Sequence, residues 1–253
     1  MAEKPTVALG IDIGGSGIKG APVDLVKGEF LEDRYKIPTP EKSTPEAVAD
    51  VVRQIAEKFL ETLPRDAPIG VTIPGIVKRG VVRSAANIDT SWKGCDGEKL
   101  FSEKLGRHVH LVNDADAAGV AELRYGAAKG KDGLVILTTL GTGIGIGLLY
   151  DGVLIPNAEL GHIELNGHDA ETRAAASARE REGLSYEEWA TDRLQPYYAM
   201  LEFLLSPDLF VVGGGVSRKA DKFLPLLKLE TPIIPATMRN AAGIVGAAAL
   251  AAD

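Results

Sequence analysis

Two glycine-rich turns, one near the start of the chain and one just past its middle, constrain the fold more than any other feature. The first lies in GIDIGGSGIKG (10–20) and the second in TTLGTGIGIGLLYDG (138–152). Each turn follows a run rich in Val, Ile and Leu and precedes a second β-prone run, which is the pattern of a β-hairpin. The repeated pattern predicts two related halves, each of which begins with a hairpin.

The first turn also matches the dinucleotide-binding pattern G-x-G-x-x-G at Gly15–Gly20. That pattern has meaning only where a helix follows the glycines. Here Pro22, Gly28 and the extended-looking FLEDRYKIPTP follow instead, so we interpret the turn as a hairpin. The P-loop pattern G-x-x-x-x-G-K-[ST] does not occur in the sequence, and a P-loop NTPase is therefore not expected.

Strand-like and helix-like segments alternate along the rest of the chain, and this alternation predicts an α/β fold. We place an N-terminal lobe at residues 1–112 and a C-terminal lobe at residues 113–239. The small-residue helix at 240–253 suits close packing, and we expect it to pack back on the first lobe.

The composition bounds the function. Hydrophobic residues make up 45% of the 253 residues and charged residues 25%, the balance of a globular protein with a full core. The net charge of −7 argues against general binding to nucleic acid or to an anionic membrane, which needs a basic face. Cys95 is the only cysteine, which excludes an internal disulfide. The sequence has no signal-peptide pattern and no apolar run of about 18 residues, so we expect a cytoplasmic protein.

The glycine turns have two interpretations. Glycine supplies the positive-φ conformations of tight hairpins, but its unobstructed N–H groups can also bind anions. Asp12 precedes the first turn, and Lys19 follows it. A carboxylate beside a phosphate-binding turn is useful if it holds Mg²⁺, directly or through water. The spacing alone leaves both interpretations open.

Asn113 and Asp114 lie where a strand ends and a helix begins, which is the usual position of the ligand crevice in open α/β sheets. The plainer alternative is that Asp114 or Asp116 only caps the helix, although an N-cap would normally be one of the two, which leaves the other carboxylate for a second task. A carboxylate at this position could orient a substrate hydroxyl and accept its proton during phosphoryl transfer.

The segments ELGHIEL (159–165) and HDAE (168–171) gather four acidic residues and two histidines within thirteen positions. Three interpretations are open. A metal site is one, although no HExxH-type pair occurs, and a solvated acidic loop is another. The third is a set of carboxylate and imidazole groups that bind the hydroxyls of a sugar, which an apolar pocket cannot hold.

Residues 75–93 form a local basic stretch with Lys78, Arg79, Arg83 and Lys93. Four cations are commonplace on any protein surface. In a chain this acidic, a basic stretch close to two candidate phosphate turns could instead follow an extended polyanion.

Together these segments resemble the ROK family of sugar kinases, whose members have the α/β actin-like ATPase fold with two lobes and a central cleft. The two glycine turns are similar to the family's two phosphate motifs, and VVGGGVS (211–217) is similar to its nucleotide-side glycine motif. VNDADAAGVAE (112–122) is similar to the segment with the catalytic aspartate, and AELGHIEL (158–165) resembles the sugar-binding signature.

The resemblance implies a role for each matching residue. The general base maps to Asp114, and Mg²⁺ would be held by Asp12, directly or through water. Sugar contacts map to Ser84, Asn87, Asn113, Asp114, Glu159, His162 and Glu171. Phosphate and nucleotide contacts map to Asp12, Gly14, Gly15, Ser16, Gly17, Lys19, Lys93, Thr139, Gly141, Thr142, Gly143, Gly213, Gly214 and Gly215.

The chain departs from the wider family in one loop. Many family members follow the Gly-His signature with a cysteine-rich zinc loop, whereas the corresponding LNGHDAE (165–171) has no cysteine. Structural zinc is therefore not expected. The stretch 73–94, with its SAAN and SWKG pieces, resembles the actinobacterial branch whose members use inorganic polyphosphate, some of them also ATP and mannose.

The expected reaction is transfer of a terminal phosphoryl group from inorganic polyphosphate or ATP to the 6-hydroxyl of glucose, with mannose as a further acceptor.

Two alternatives belong to other classes of protein. An actin-like ATPase of the assembly or chaperone type would share the hairpins but has no need of Asn113-Asp114 or ELGHIE. A sugar-responsive ROK regulator would carry an N-terminal DNA-binding domain, for which a first strand beginning by residue 6 leaves no room. A monomer and a homodimer are both compatible with the sequence.

Overall fold

The computed structural model describes residues 4–85 and 87–253. The chain divides into two compact units. The first unit extends to Ala121 and includes Ala241–Asp253, and the second unit is Glu122–Asn240. The sequence-based proposal placed the lobe boundary between residues 112 and 113. The C-terminal segment belongs to the first unit, although it follows the second in the chain.

Strands and helices alternate in both units. The strands of the first unit are β1 (Val7–Gly14), β2 (Gly17–Asp24), β3 (Glu29–Phe30), β4 (Tyr35–Ile37), β5 (Ile69–Ile73), β6 (Val77–Lys78), β7 (Val81–Val82) and β8 (Val109–Asn113). Those of the second unit are β9 (Leu134–Leu140), β10 (Ile144–Tyr150), β11 (Val153–Ile155), β12 (Glu164–Leu165), β13 (His168–Asp169), β14 (Leu209–Gly213) and β15 (Ile233–Pro235). The helices are α1 (Pro45–Leu60), α2 (Gly97–Leu105), α3 (Asp114–Tyr125), α4 (Glu171–Ala174), α5 (Ala176–Glu182), α6 (Tyr186–Trp189), α7 (Gln195–Leu205) and α8 (Ala242–Ala251).

The main sheet of the first unit has the order β3-β2-β1-β5-β8, and β4 also pairs with β2. The β1–β2 pair is antiparallel, whereas β1, β5 and β8 run parallel to one another. Because side chains alternate along a strand, β1 directs Leu9, Ile11 and Ile13 into a core shared with α1 and α2. Its opposite face carries Gly10 and Asp12, which lie against α8.

A pair of glycines brings α8 against that opposite face. Gly10 and Gly70 are directly opposite each other on β1 and β5. A Cβ atom on Gly10 would collide with the carbonyl oxygen of Ile244, and one on Gly70 with that of Ala247. The small side chains on both surfaces therefore allow the helix backbone to contact the sheet backbone.

The main sheet of the second unit has the order β11-β10-β9-β14-β15. It repeats the plan of the first, because an antiparallel hairpin of β9 and β10 is followed by the parallel strands β14 and β15. Its core contains large aromatic side chains, with Tyr198 packed edge-on against Phe210 at 5.2 Å between ring centroids. Within the described residues, 4–85 and 87–253, no helix has the length and apolar character to span a membrane.

Candidate functional site

The first glycine turn is a two-residue hairpin loop. Ile13 pairs with Ile18 and Gly14 with Gly17, which leaves Gly15 and Ser16 as the loop. Strand β2 follows the glycines directly. The hairpin interpretation is therefore confirmed, and the helix that the dinucleotide pattern requires does not follow this turn.

Asp12 lies near the end of β1, three positions before Gly15, the first loop residue. Thr72 is fully buried and donates its hydroxyl to Asp12 Oδ1 at 2.9 Å, and Lys19 Nζ lies 3.7 Å from Oδ2. A Cβ atom on Gly243 would lie 2.8 Å from Oδ1, so the carboxylate sits against the first turn of α8. Asp12 is thus held in place by a neutral hydroxyl and keeps a carboxylate oxygen next to a cation.

These surroundings fit a magnesium ion held mainly by a substrate. Mg²⁺ prefers oxygen ligands, and in kinases it is bound by one or two carboxylates together with substrate phosphates. The Asp12 carboxylate provides such an oxygen. In the part of the chain that the structure describes, no group of three or more His, Cys, Asp and Glu side chains could hold a metal by itself.

Lys36 is a cation at the first turn that the sequence analysis did not identify. Strand β4 pairs with β2 so that Lys36 lies opposite Lys19, and Thr39 donates its hydroxyl to the carbonyl of Gly14 at 2.5 Å. A Cβ atom on Gly17 would collide with Lys36 Cε and lie 3.2 Å from Nζ. The Lys36 side chain therefore crosses the turn in the space that a side chain at position 17 would fill. Like charges opposite each other on paired strands repel, and an anion bound at the turn would relieve this repulsion.

Asn113 ends β8 and caps α3. Its Oδ1 accepts the N–H groups of Ala115 at 2.8 Å and Asp116 at 3.0 Å, and its Nδ2 donates to the carbonyl of Gly75 at 3.1 Å. The expectation that Asp114 or Asp116 would be the N-cap is therefore wrong, because an amide one residue earlier performs this task.

Asp114 is the first residue of α3 and is half-buried. Its Oδ1 accepts the N–H of Ala115 at 2.9 Å. An ionised carboxylate is favoured at a helix N-terminus, where the partial charge of the helix is positive. The adjacent Asp116 is buried. Asp114 is thus the more accessible of the two carboxylates at this junction.

The predicted sugar contacts Ser84 and Asn87 occupy different surroundings. Ser84 Oγ accepts the N–H of Ile76 at 2.8 Å, next to the Gly75 carbonyl that binds Asn113. Asn87 is exposed, has a φ of 57°, and places its carbonyl oxygen 3.7 Å from a Cβ atom built on Gly15. The structure therefore links Ser84 to Asn113 and places the Asn87 backbone beside the first glycine turn. Ala86, part of the SAAN piece, lies outside the described residues.

The basic stretch lies at the surface. Lys78 ends β6, and Arg79 lies in the loop between β6 and β7. Arg83 and Lys93 follow this hairpin in the chain. All four side chains are exposed. Trp92, immediately before Lys93, is buried and donates its ring N–H to the carbonyl of Ser43 at 2.8 Å, which fixes this part of the segment.

The second glycine turn is a three-residue loop of Gly141, Thr142 and Gly143, since Leu140 pairs with Ile144. Ser177, in α5, holds this loop through two contacts. Its N–H donates to the carbonyl of Gly141 at 3.0 Å, and its hydroxyl donates to that of Thr142 at 2.6 Å. The Thr142 side chain remains exposed.

The predicted nucleotide-side glycines adjoin this loop. Gly213 ends β14 and pairs with Thr139 on β9. Gly214 has a φ of 83°, and a Cβ atom there would collide with the carbonyl oxygen of Leu140. Gly215 begins the short 3₁₀ segment that follows. The carboxyl ends of two neighbouring parallel strands thus bring these glycines next to the second turn.

Glu171 connects the second turn to the acidic segment. Its Oε2 accepts the N–H of Ile144, the first residue after the turn, at 2.7 Å. A Cβ atom on Gly143 would collide with the same carboxylate. A residue that the family resemblance assigns to the sugar therefore holds the second glycine turn in place.

Glu159 precedes a short 3₁₀ turn, Leu160–His162, and His162 is the last residue of that turn. Gly161 lies so close to β10 that a Cβ atom would collide with the carbonyl oxygen of Ile144. The His162 Nε2 atom is 3.9 Å from Glu159 Oε2, and its Nδ1 atom is 2.8 Å from Asp169 Oδ2. The structure therefore brings an imidazole and two carboxylates together beside the second hairpin.

Electrostatics in this group favour the charged imidazole. The hydrogen bond to Asp169 raises the pKa of His162 above its usual value, and the charges of Glu171, Asp169 and Glu159 add to this effect, although desolvation opposes it. Burial raises the pKa of Glu159, and Glu171 raises it further, whereas His162 lowers it.

Asp169 is a member of this group that the sequence analysis did not assign. The signal that could have identified it is the dipeptide Asn166-Gly167, both at positive φ, of 53° and 78°. Asn-Gly is the strongest short-range signal of a two-residue hairpin. The resulting β12–β13 pair folds Asp169 back opposite Glu164, two residues after His162.

In each unit an antiparallel glycine hairpin precedes parallel strands at whose carboxyl ends the polar residues gather, and this architecture is the actin-like ATPase fold of the sugar kinases. The chain belongs to the ROK family, whose model matches residues 8–183. The fold and the family expected from the sequence are both confirmed.

Individual relatives are similar over nearly the whole chain. The chain is 50% identical over 241 residues to the polyphosphate glucokinase of Mycobacterium tuberculosis strain H37Rv, covering 95% of this chain and 89% of the relative. The crystal structure of inorganic polyphosphate/ATP-glucomannokinase from Arthrobacter sp. strain KM has a TM-score of 0.93 at 54% identity, covering 98% and 99% of the two chains. A ROK family glucokinase from Streptomyces griseus, in complex with glucose and AMPPNP, has a TM-score of 0.80 at 27% identity, covering 97% and 99%.

Proposed function

We propose that this protein is a glucokinase that transfers a terminal phosphoryl group from inorganic polyphosphate or ATP to the 6-hydroxyl of glucose. The observation that carries this proposal is the placement of Asp114 at the junction of β8 and α3, where Asn113 performs the capping and Asp114 remains half-buried. The similarity to a polyphosphate glucokinase and to a polyphosphate/ATP-glucomannokinase supports the choice of substrates.

Asp114 would accept the proton of the 6-hydroxyl as the phosphoryl group moves to the oxygen. The transition state of phosphoryl transfer is largely loose, so much of the task of this carboxylate is to align the hydroxyl oxygen. The capping bonds of Asn113 fix the backbone from which Asp114 projects. Alignment of this kind is a large part of catalysis by kinases.

The donor phosphates would be bound by the two glycine turns. N–H groups of the loop residues Gly15, Ser16, Thr142 and Gly143 are suited to hold phosphate oxygens, whereas the Gly141 N–H donates to the Gly143 carbonyl at 2.9 Å. Lys19 adds a positive charge at the first turn. Phosphoryl transfer of this kind needs a divalent metal, and Mg²⁺, when bound, would neutralise charge on the donor phosphates. Asp12 is the residue that would hold it, directly or through water.

The sugar would be held by polar groups on short, fixed segments. The residues that would bind the sugar hydroxyls are Ser84, Asn87, Asn113, Glu159, His162 and Glu171. Mannose differs from glucose in the configuration of the 2-hydroxyl, and we propose it as a second acceptor. The exposed cations of the basic stretch, including Arg83 and Lys93, would bind the distal part of a polyphosphate chain.

A coupled assay for glucose 6-phosphate, with ATP and polyphosphate as separate donors, tests this function directly. Asp114→Asn keeps the size of the side chain but removes the base, so we expect kcat to fall by about 10²-fold or more, with glucose still bound. Calorimetric titration with glucose measures the binding. Asp132→Asn, at an exposed loop position, is the matched control and should retain full activity. Near-normal turnover of Asp114→Asn would exclude its role as the base.

A further inference from the structure

We propose that Asp169 is the positioning residue of the sugar site, because one carboxylate orients both His162 and Glu171. The proposal rests on the glucokinase function proposed above. A single side chain on the β12–β13 hairpin then holds the sugar-binding side chains in position. The loop that carries it contains no cysteine.

The first contact selects the tautomer of the imidazole. Asp169 Oδ2 lies 2.8 Å from His162 Nδ1. An ionised carboxylate only accepts hydrogen bonds, so Nδ1 carries the proton. In the neutral ring Nε2 is then the acceptor, on the side of the ring that faces Glu159 at 3.9 Å. A carboxylate that fixes one ring nitrogen defines what the other nitrogen can bind.

The second contact positions α4. Asp169 Oδ1 accepts the N–H of Glu171 at 3.0 Å, and its backbone carbonyl accepts the hydroxyl of Thr172 at 2.7 Å. Glu171 in turn accepts the N–H of Ile144 at the end of the second glycine turn. Both oxygens of Asp169 are thus used, one on the imidazole and one on the segment that holds the phosphate turn.

The charge of Asp169 also controls when the imidazole is protonated. Three acidic groups face His162: Glu159 before its 3₁₀ turn, Asp169 on β13 and Glu171 on α4. The bond to Asp169 is the largest cause that raises the pKa of His162. Loss of the Asp169 charge should therefore lower this pKa, and the pH at which glucose binding changes should move downward.

The test combines a titration and a kinetic measurement. In Asp169→Asn the amide oxygen can still accept the Nδ1 proton, but the charge is lost. NMR of the ligand-free protein should show the His162 ring titrating at lower pH than in the wild type, and the His162 signal is assigned by its loss in His162→Gln. The KM for glucose should rise about tenfold, the scale of one charged hydrogen bond, and its pH profile should shift the same way, whereas kcat should change less.

Asp192→Asn is the matched control. Asp192 lines the same surface hollow as Asp169 and is exposed, so its removal deletes one nearby negative charge and leaves the two contacts of Asp169 intact. We expect the wild-type titration and KM for this variant. Asp169→Ala, which removes both contacts, should have a larger effect than Asp169→Asn, and thermal melting monitors whether each variant is folded.

The outcomes distinguish this proposal from the proposed function. An unchanged His162 titration in Asp169→Asn would overturn the proposal, even if the wild type phosphorylates glucose. An equal shift in Asp192→Asn would do the same, because a general charge effect would then explain it. If the wild type does not phosphorylate glucose, the glucokinase function fails and the sugar-site role fails with it. The titration would then still establish the Asp169–His162 pairing.

Discussion

Asn113 and Asp114 are adjacent in the chain and are both polar, but they perform different tasks. The Asn113 amide uses its oxygen on two N–H groups of α3 and its nitrogen on Gly75. Asp114 is left at the helix N-terminus with a carboxylate that the helix charge favours in its ionised form. Since a carboxylate accepts a proton readily and a neutral amide does not, we propose Asp114 rather than Asn113 as the base.

At the same scale, the position of Lys36 at the first turn leads to a prediction about binding of the phosphoryl donor. Lys36→Gln should raise the KM for ATP and for polyphosphate by similar factors, of about 3- to 30-fold for a lost charged contact, because we propose that both donors place a phosphate at the first turn. Steady-state kinetics with each donor measures the effect. Lys27→Gln, at an exposed position in the turn between β2 and β3, is the matched control.

The basic stretch should discriminate between the donors. Reversing the charges at Arg83 and Lys93 to Glu should raise the KM for long polyphosphate more than the KM for ATP, because only the long polyanion extends beyond the turns. The difference should shrink at high ionic strength, which screens exposed charges. Equal effects on both donors would argue against a polyphosphate path along this stretch.

At the scale of single elements, the starts of two helices follow from their local sequence. Thr44 caps α1, Pro45 occupies its first turn, and Ser185 with Glu188 forms a capping box at α6. A π-helical turn at Ala190–Leu194 follows α6, and α7 begins at Gln195. The backbone keeps helical dihedral angles at Leu194 and Gln195, so Pro196 directly follows a π-helical turn within a continuous helical segment.

The close packing of α8 on the sheet leads to a prediction about stability. Gly70→Ala should lower the free energy of unfolding by about 1–3 kcal/mol, the usual scale of overpacking, because the new methyl group collides with the Ala247 backbone. Urea denaturation measures it. Gly141→Ala is the control, since an added Cβ atom there has no neighbour within 4 Å among the described atoms. A Gly70→Ala protein as stable as the wild type would show that α8 shifts freely on the sheet.

At the scale of the whole molecule, the chain passes between its units after Ala121 and again after Asn240. Glu122, the first residue of the second unit, lies at the first passage and is buried. Its carboxylate accepts the N–H of Met238 at 2.6 Å and of Ala127 at 2.7 Å. One side chain therefore ties the end of α3 to the segment that leads into the second passage.

Removing this carboxylate should destabilise the fold. Glu122→Ala leaves two partly buried N–H groups without their acceptor, so we expect a loss of about 2–3 kcal/mol in the free energy of unfolding. Glu122→Gln keeps one amide oxygen and should lose less. Urea denaturation followed by circular dichroism gives both values, and Glu187→Ala, at an exposed position, serves as the control. Equal stability of Glu122→Ala and Glu187→Ala would contradict the expectation.

The sequence by itself determined the two glycine hairpins, the α/β class, the ROK family and the strand-to-helix junction at Asn113-Asp114. These features depend on residues that are close in the chain, where spacing alone sets the geometry. Only the tertiary structure decided that Lys36 crosses the first turn and that Gly10 and Gly70 contact α8. Those contacts depend on strand register and on the packing of one backbone against another, and a residue's type and spacing do not specify either.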